Sequence, residues 1–407
     1  MSWWVQSDRL SQKQLQVIKD CMESKQKCIW IKGFAGTGKT LILIHLLERL
    51  LTIYPNSTYC FITYTNSLVD LVRSSPTLFQ KRQNVDILTQ NKFVSNKKRY
   101  NFVFVDEIQD IELSELKKIQ KLCDRIFVAG DYDQHIYPSK KTSEEDIYEC
   151  FNKQNVRTET LTQVFRITKN ICLLAKHIYP NANLVEGLVS TKKNSTINLV
   201  TTSSIEDEYD WIIENATTRA YTGKPSAVLL STNDKIFEFF DRLSKYTKNS
   251  LFIRPRKTHN RYLYNNITES YSNFNQKCIE MGLPYRYIGK GVGSIAEAEK
   301  KPVVFITSIH NAKGLDFNNV FIPNLDHGEY FLSNDSNDPM SQRLILVAIT
   351  RSRENLYLSY HTSKPKDFMK TIPPQLVHSF HAKPLKPGGQ DTGVNLDNDS
   401  YDEPDLF

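Results

Sequence analysis

The sequence lacks any long apolar run: none of its 407 residues belongs to a stretch approaching the ~18 apolar residues that a membrane-spanning helix needs. The first ten residues, MSWWVQSDRL, also lack the basic and then apolar pattern of a secretory signal. The seven cysteines form no Cys-x-x-Cys pair, which argues against a disulfide framework or a cysteine zinc site. These absences predict a cytoplasmic protein with reduced core thiols and no membrane partner.

Acidic residues are fewer than basic ones, with 45 Asp and Glu against 52 Lys and Arg, so the net charge is +7. The imbalance is uneven, because residues 388–407 hold six acids and no Lys or Arg, which leaves +13 on the rest of the chain. A basic body is suited to a polyanionic partner. The composition of the last stretch, rich in Pro, Gly, Asn and Asp, predicts a disordered acidic tail over residues 377–407.

Residues 33–40 read GFAGTGKT, after the apolar run 28–31 and before a second apolar run, 41–47. This pattern of strand, glycine-rich turn and helix is the phosphate loop of nucleoside triphosphatases. The glycines let backbone N–H groups surround a phosphate, the lysine reaches the β- and γ-phosphates, and the threonine hydroxyl binds Mg²⁺. The predicted ATP contacts in this loop are Gly33, Gly36, Thr37, Gly38, Lys39 and Thr40, with Thr40 also a metal ligand.

Predicted strands alternate with helices twice along the chain. The first series places strands at 59–64, 84–88, 102–105 and 125–129, and the second at 227–231, 303–307, 320–323 and 356–360. Such alternation predicts α/β units with doubly wound parallel sheets. We predict an ATP-binding domain over residues 1–158 and a second α/β domain, without a phosphate loop, over residues 159–376.

Two strand ends in the first unit carry acidic and amide side chains. Residues 106–110 (DEIQD) follow the apolar strand 102–105, and this position predicts that Asp106 binds the Mg²⁺ held by Thr40. Glu107 is then near the water that attacks the γ-phosphorus, as a general base. Residues 130–134 (GDYDQ) end the next strand, and Gln134 is predicted to orient that water or to contact the γ-phosphate.

The order of motifs resembles that of a superfamily 1 helicase of the UvrD/Rep type, a similarity that spans residues 8–376. In that family the motifs lie on two tandem RecA-like domains, which the resemblance therefore implies for this chain. The segments that carry the resemblance are 10–14 (LSQKQ), 33–40 (GFAGTGKT), 63–66 (TYTN), 106–110 (DEIQD), 130–137 (GDYDQHIY), 161–166 (LTQVFR), 307–317 (TSIHNAKGLDF), 347–353 (VAITRSR) and 365–376.

The resemblance implies further roles for particular residues. Gln14 and Phe165 would lie at the adenine, Gly314 and Asp316 would contact the nucleotide, and Arg166 and Arg351 would act as arginine fingers at the γ-phosphate. Guanidinium groups stabilise the charge of a transferring phosphoryl group, so a nucleotide between two units could draw them together. The implied nucleic-acid contacts are Tyr64, Thr65, Thr307 and His310, with base stacking on Tyr64.

The chain also departs from the family pattern. Family members carry two large accessory subdomains, which the spacing here predicts to be absent or vestigial, and Asp316 replaces the usual Glu. We therefore expect an ATP hydrolase that moves on single-stranded or tailed duplex DNA, with 3′-to-5′ direction implied by the resemblance alone. The alternative is an ATP-driven switch that recruits a nuclease or polymerase without unwinding, with the tail as a possible site for a protein partner. An RNA-directed motor is a third interpretation.

Overall fold

In the computed structural model, the chain forms two parallel β-sheets with helices packed on their faces. The structure describes residues 6–63, 69, 72, 84–96, 98–136, 143–179, 189–190, 194–257, 263–299, 301–326 and 338–383. Both large sheets are wholly parallel, as the alternation of strands and helices predicts. The α/β class with two tandem RecA-like units is thus confirmed.

The first sheet has six strands in the order β3-β2-β4-β5-β1-β6. Strand β1, which lies between β5 and the edge strand β6, has the sequence CIWIKG and is buried over most of its length, as a near-continuous apolar run in a parallel sheet should be. The strands are β1 (Cys28–Gly33), β2 (Tyr59–Thr63), β3 (Val85–Thr89), β4 (Tyr100–Val105), β5 (Cys123–Gly130) and β6 (Val156–Leu161).

The helices of the first unit alternate with these strands. The first of them begins at a capping box, in which the Ser11 and Gln14 side chains each accept a hydrogen bond from the other's backbone N–H. The second begins directly after Gly38, whose left-handed backbone closes the phosphate loop. The helices are α1 (Gln12–Glu23), α2 (Lys39–Ile53), α3 (Gln90–Asn96), α4 (Leu113–Lys121) and α5 (Glu144–Phe151).

The second large sheet has seven strands in the order β11-β12-β10-β13-β14-β9-β15, and a separate pair, β7-β8, precedes it. The strands are β7 (Gln163–Val164), β8 (Val189–Ser190), β9 (Thr196–Thr201), β10 (Ser226–Leu230), β11 (Tyr285–Tyr287), β12 (Val304–Ser308), β13 (Phe317–Ile322), β14 (Ser352–Tyr360) and β15 (His378–His381). The helices are α6 (Lys169–Ile178), α7 (Ile205–Tyr221), α8 (Asn233–Thr247), α9 (Tyr264–Glu280), α10 (Ile309–Ala312), α11 (Pro339–Ile349) and α12 (Asp367–Lys370).

The structure corrects the predicted limits of the two units. Strand β6 pairs with β1, so the first sheet extends to Leu161 and a boundary at 158/159 would divide a strand. Strand β15 pairs with β9, so residues 378–381 belong to the second sheet and not to the tail. Both are edge strands with polar sequences, VRTETL and HSFH, which give no apolar run for a sequence pattern to detect.

Helix α9 packs beside strand β11 of the second sheet. Its sequence, YNNITESYSNFNQKCIE, is mostly polar, and it buries Ile267, Tyr271, Phe274 and Cys278 at helical spacing. The Tyr271 ring stacks on that of Tyr287 with centroids 3.5 Å apart. A narrow apolar stripe against strand β11 is therefore enough to hold this helix.

The hydrophobic core of the second unit continues into the phosphate loop of the first. Phe34 and Ala35 from the loop, together with Ile136, are buried in the same cluster as Ile167 and Ile171. The backbone N–H of Phe165 also donates to the Gly36 carbonyl at 3.0 Å. The loop is therefore packed directly against the chain that follows β7.

Among the described residues, no helix is long and apolar enough to cross a membrane. All seven cysteines are buried and unpaired. The predicted DNA contacts Tyr64 and Thr65, as well as residues 384–407 of the predicted tail, lie outside the described residues.

Candidate active site

The phosphate loop has the backbone geometry that its sequence predicts. Gly36 and Gly38 have φ values of 77° and 89°, a left-handed conformation that glycine adopts without a steric penalty. The Thr37 hydroxyl donates to the Phe34 carbonyl at 2.8 Å and holds the turn. The turn leads into the N-terminus of α2, where free N–H groups and the helix dipole favour an anion.

The Lys39 ammonium lies within the loop. Its Nζ donates to the carbonyl oxygens of Gly33 at 2.6 Å and of Phe34 at 3.2 Å, and the side chain is buried. A cation held by carbonyl oxygens alone can move to a phosphate oxygen, which is a stronger, charged acceptor.

The side chains of Thr40 and Asp106 contact each other at the end of the phosphate loop. The Thr40 hydroxyl donates to Asp106 Oδ2 at 2.6 Å, so the two oxygens predicted to share a metal ion are adjacent. Burial and the neighbouring Glu107 raise the pKa of Asp106 to about 7. A hydroxyl and a carboxylate oxygen are the donors that Mg²⁺ prefers, and a divalent cation would relieve the repulsion that raises this pKa.

Glu107 occupies a strained position at the end of β4. Its φ of 57° places it in the left-handed region, which is rare for a residue with a Cβ atom and common at functional sites. Burial opposes its charge, but Lys313 and Lys39 outweigh that effect and lower the pKa of Glu107. The Gln109 amide donates to Glu107 Oε2 and accepts from the Asp131 N–H at 3.1 Å, which fixes the carboxylate. Glu107 is therefore held ionised, as a general base must be.

Lys313 is a site residue that the sequence prediction missed. It comes from the second unit, is 2% exposed, and donates to Asp110 Oδ2 at 2.6 Å and to the Gln134 carbonyl at 2.7 Å. Its Nζ also lies 3.8 Å from Glu107 Oε2. Its membership in the segment TSIHNAKGLDF was the only available signal, because nothing local shows that this side chain crosses between the units.

Arg351 contacts Gln134 across the same boundary. Its Nη2 donates to Gln134 Oε1 at 3.1 Å, while Gln134 Nε2 donates to Asp131 Oδ2. The guanidinium is 1% exposed and also donates to the carbonyl oxygens of Val347 and Leu315. Burial and repulsion from Arg166 lower the pKa of Arg351 to about 10, so it stays charged at neutral pH.

Arg166 lies against the phosphate loop and is paired with Asp316. Arg166 Nη1 is 3.4 Å from Asp316 Oδ1, and Arg353 Nε donates to the other oxygen of the same carboxylate. Burial opposes the Asp316 charge, but the two arginines outweigh it and lower the pKa of Asp316. A Cβ atom built on Gly36 would lie 3.0 Å from Arg166 Cβ, which shows how closely the arginine approaches the loop.

The remaining predicted nucleotide contacts lie beside the loop. The Gln14 side chain donates to the Thr37 carbonyl at 3.1 Å, which connects α1 to the loop. Phe165 is half-buried at the backbone contact with Gly36. Gly314 has a φ of 81° in the turn that precedes Asp316.

The structure does not expose Thr307, one of the predicted nucleic-acid contacts. Its side chain is fully buried and its hydroxyl donates to the Ile288 carbonyl at 2.6 Å, so it has a structural role at the end of β12. His310 is half-buried at the boundary between the units, where burial and Lys313 lower its pKa against the opposing effects of the Ile136 backbone and Asp110.

Two family models match the chain. One, described as the UvrD-like helicase C-terminal domain, matches residues 286–363, and one described as an AAA domain matches residues 14–140. The first match contains Lys313, Asp316 and Arg351, and the second contains Lys39 and Glu107. The UvrD-like match therefore covers site residues of the second unit, and the AAA match covers site residues of the first.

Curated relatives show similarity over part of the chain. The ATP-dependent DNA helicase PcrA of Staphylococcus aureus (strain Mu50) is 34% identical over 104 residues, and that of Staphylococcus epidermidis (strain RP62A) has the same identity over the same length. These alignments cover 22% of this chain and 14% of the relatives' length. The motif order, the two family models and this similarity together show that the chain is similar to superfamily 1 helicases of the UvrD/Rep type.

Proposed function

We propose that this chain hydrolyses ATP in the cleft between its two α/β units and uses the cycle to move on DNA as a helicase or translocase. The observation that carries the proposal is the buried network across the cleft. In it, Lys313 and Arg351 of the second unit contact Asp110 and Gln134 of the first. Cleavage of the γ-phosphate beside Glu107 would affect this network directly, because Glu107 Oε2 lies 3.8 Å from Lys313 Nζ.

The hydrolysis step would depend on the residues around the loop. Thr40 and Asp106 would hold Mg²⁺, which would neutralise charge on the β- and γ-phosphate oxygens. Lys39 would bind the phosphates, Glu107 would accept the proton of the attacking water, and Gln134 would orient that water. The low pKa of Glu107 supports this assignment, because an ionised carboxylate can accept a proton at neutral pH.

The arginines would couple hydrolysis to motion. Arg166 and Arg351 both follow segments packed in the second unit's core, and each lies beside a residue of the first unit. Their charges would stabilise the transition state when the units are closed, and product release would weaken that attraction. We place the boundary between the two moving units after Leu161, where the first sheet ends.

DNA is the proposed track because the relatives of this chain are DNA helicases and its body is basic. Single-stranded or tailed duplex DNA would be the substrate, with movement from 3′ to 5′. Among the predicted contacts, His310 remains a candidate because it lies at the boundary between the units, whereas Thr307 is buried.

The test is an ATPase assay with and without single-stranded DNA, followed by strand separation on duplexes with 3′ or 5′ tails. We expect DNA-stimulated hydrolysis that Lys39→Ala and Glu107→Gln abolish. Lys19→Ala, on the exposed face of α1, is the matched lysine control and should retain full activity. Undiminished hydrolysis by both site variants would refute the assignment, and stronger stimulation by RNA than by DNA would refute the proposed track.

A second function is favoured by the compactness of the second unit. Between α9 and β12 the described residues contain only β11 and a short 3₁₀ turn, Ile295–Glu299, where family members have an accessory subdomain. A core without strand-separating parts could act as an ATP-driven switch that recruits a nuclease or polymerase. DNA-stimulated ATPase activity without separation of either tailed duplex would support this second function.

A further inference from the structure

A second cluster of charged side chains lies at the carboxyl ends of strands β13 and β14 of the second sheet. Asp316 and Arg351 immediately precede β13 and β14 in the cleft, whereas Asp326 and His361 follow the ends of these strands. Glu208 is in the first turn of α7, just after the neighbouring strand β9. The carboxyl ends of adjacent parallel strands are where α/β proteins bind ligands.

The three side chains converge on one point. His361 Nδ1 is 2.7 Å from Glu208 Oε2 and 3.0 Å from Asp326 Oδ2, and the donor atoms of all three residues lie within 4.8 Å of one another. Glu208 is fully buried and Asp326 is 3% exposed. Two carboxylates in a buried position repel each other, and a shared cation offsets that repulsion.

Each carboxylate directs one oxygen to the shared point and has the other held by protein donors. Glu208 Oε1 accepts from the Asn324 N–H at 3.0 Å and from the Ser359 hydroxyl at 2.6 Å. Asp326 Oδ1 accepts from the N–H groups of His361 and Thr362 at 3.2 and 2.8 Å. Hydrogen bonds of this kind orient the ligands in metal sites.

Asp326 Oδ2 supplies an independent indication of a ligand. Among the described residues, no donor forms a hydrogen bond to this buried carboxylate oxygen, although His361 Nδ1 lies 3.0 Å away. Buried polar atoms of this kind are rare and commonly mark an ion or a bound water. His361 is itself 17% exposed, which gives the cluster a route to solvent.

We propose that Glu208, Asp326 and His361 form a binding site for a divalent transition-metal ion, with Zn²⁺ as the representative cation. Two carboxylate oxygens and one imidazole nitrogen are suitable ligands for such an ion. Tetrahedral bonds of about 2.1 Å place donor atoms about 3.4 Å apart, so His361 Nδ1 would have to move about 0.7 Å farther from Glu208 Oε2 and about 0.4 Å farther from Asp326 Oδ2. The bound ion would join the carboxyl ends of β9, β13 and β14.

The test is metal binding by the full chain, after chelation and buffer exchange into Mg²⁺-free solution. Because Thr40 and Asp106 could also take a metal, the background is the Asp106→Asn protein. We expect one Zn²⁺ per chain by calorimetry and elemental analysis, a higher unfolding temperature with Zn²⁺, and Co²⁺ absorption bands in the visible range. Asp326→Asn and His361→Ala should each weaken Zn²⁺ binding by at least about tenfold, since loss of a metal's supporting partner alone costs 10–100-fold.

The matched control is His378→Ala, which removes an exposed histidine from the same sheet and should leave Zn²⁺ affinity unchanged. Glu208→Gln keeps the size of the side chain, so it tests the ligand even if His361→Ala fails to fold. The proposal is overturned if the background protein retains no Zn²⁺ and unfolds at the same temperature with and without it. Zn²⁺ binding that neither Glu208→Gln nor Asp326→Asn weakens would equally overturn it, because the ion would then be bound elsewhere.

Discussion

Replacement of Lys313 by methionine would test the network that joins the two units. The change keeps most of the side-chain volume and removes the ammonium that contacts Asp110 Oδ2 at 2.6 Å and lies 3.8 Å from Glu107 Oε2. Asp110 is 0% exposed, so the variant would leave a buried carboxyl group without its closest cation. Removal of one partner from a buried ion pair costs about 3–5 kcal/mol.

We expect the lower end of that range, because His135 Nδ1 lies 3.5 Å from Asp110 Oδ1 and remains a polar neighbour of the carboxyl group. The free energy of unfolding, measured in urea at neutral pH, should therefore fall by about 3 kcal/mol. Lys19→Met is the control, since an exposed ion pair contributes about 0–1 kcal/mol. Asp110→Asn combined with Lys313→Met should recover at least about 1 kcal/mol.

The same variant should change the dependence of ATP hydrolysis on pH. Lys313 is the largest of the groups that lower the pKa of Glu107, so its loss should raise that pKa. The stability that ionised Glu107 contributes is present above its ordinary pKa and is lost as the pH falls through the lowered value. In Lys313→Met both this loss and the acid limb of kcat should move to higher pH. A loss of stability under 1 kcal/mol, together with an unmoved acid limb, would refute the reasoning.

Three further predictions follow from individual contacts. Asp106 has its pKa raised to about 7, so it is protonated in the folded chain below that pH, and the free energy of unfolding should fall as the pH rises from the ordinary carboxyl range through 7. Mg²⁺ must displace this proton, and calorimetry should show Mg²⁺ affinity that rises up to about pH 7 and then levels off; affinity that is constant from pH 6 to 8 would contradict this. Gly36→Ala would add backbone strain and a 3.0 Å contact with Arg166, whereas Gly223→Ala, at a similar φ of 78° and with no atom of the described residues within 4 Å, would add strain alone. Thermal unfolding should show a loss of about 1–2 kcal/mol for the control and a larger loss for Gly36→Ala, which alone should lose ATPase activity; equal effects would rule out the contact. Arg351→Lys keeps the charge but loses the planar group that contacts Gln134, and kcat with saturating single-stranded DNA should fall by about 10³-fold, whereas a loss of less than tenfold would show that charge alone suffices.

The sequence by itself determined the local chemistry of the first unit. GFAGTGKT predicts the turn of the phosphate loop, because its glycines permit a left-handed backbone. The short apolar run before it predicts a buried strand, and the apolar run after it predicts a helix. The position of DEIQD after an apolar strand likewise predicted that Asp106 meets Thr40, and the hydroxyl and carboxylate are 2.6 Å apart. These features depend on residues close in sequence and on the edge of a parallel sheet where all its strands end. The periodicity of apolar residues along the chain predicts where those strands end.

Contacts between distant segments were decided by the tertiary structure. Lys313 reaches Asp110 over 203 positions, and no local pattern marks a lysine that will be buried in another unit. Thr307 was predicted at a surface and is instead buried. It lies near the end of a strand as predicted, but its hydroxyl donates to the Ile288 carbonyl. The order of strands in a sheet sets which strand ends become neighbours, and that order depends on the packing of the whole chain.

The Glu208, Asp326 and His361 cluster shows the same physical limit most clearly. Its members are separated by up to 153 positions and become neighbours only because β9, β14 and β13 are adjacent in the sheet. Each side chain alone is an ordinary polar residue after a strand. The sequence determined where each strand ends and which charge follows it, whereas the order of the sheet decided that these charges share one buried point.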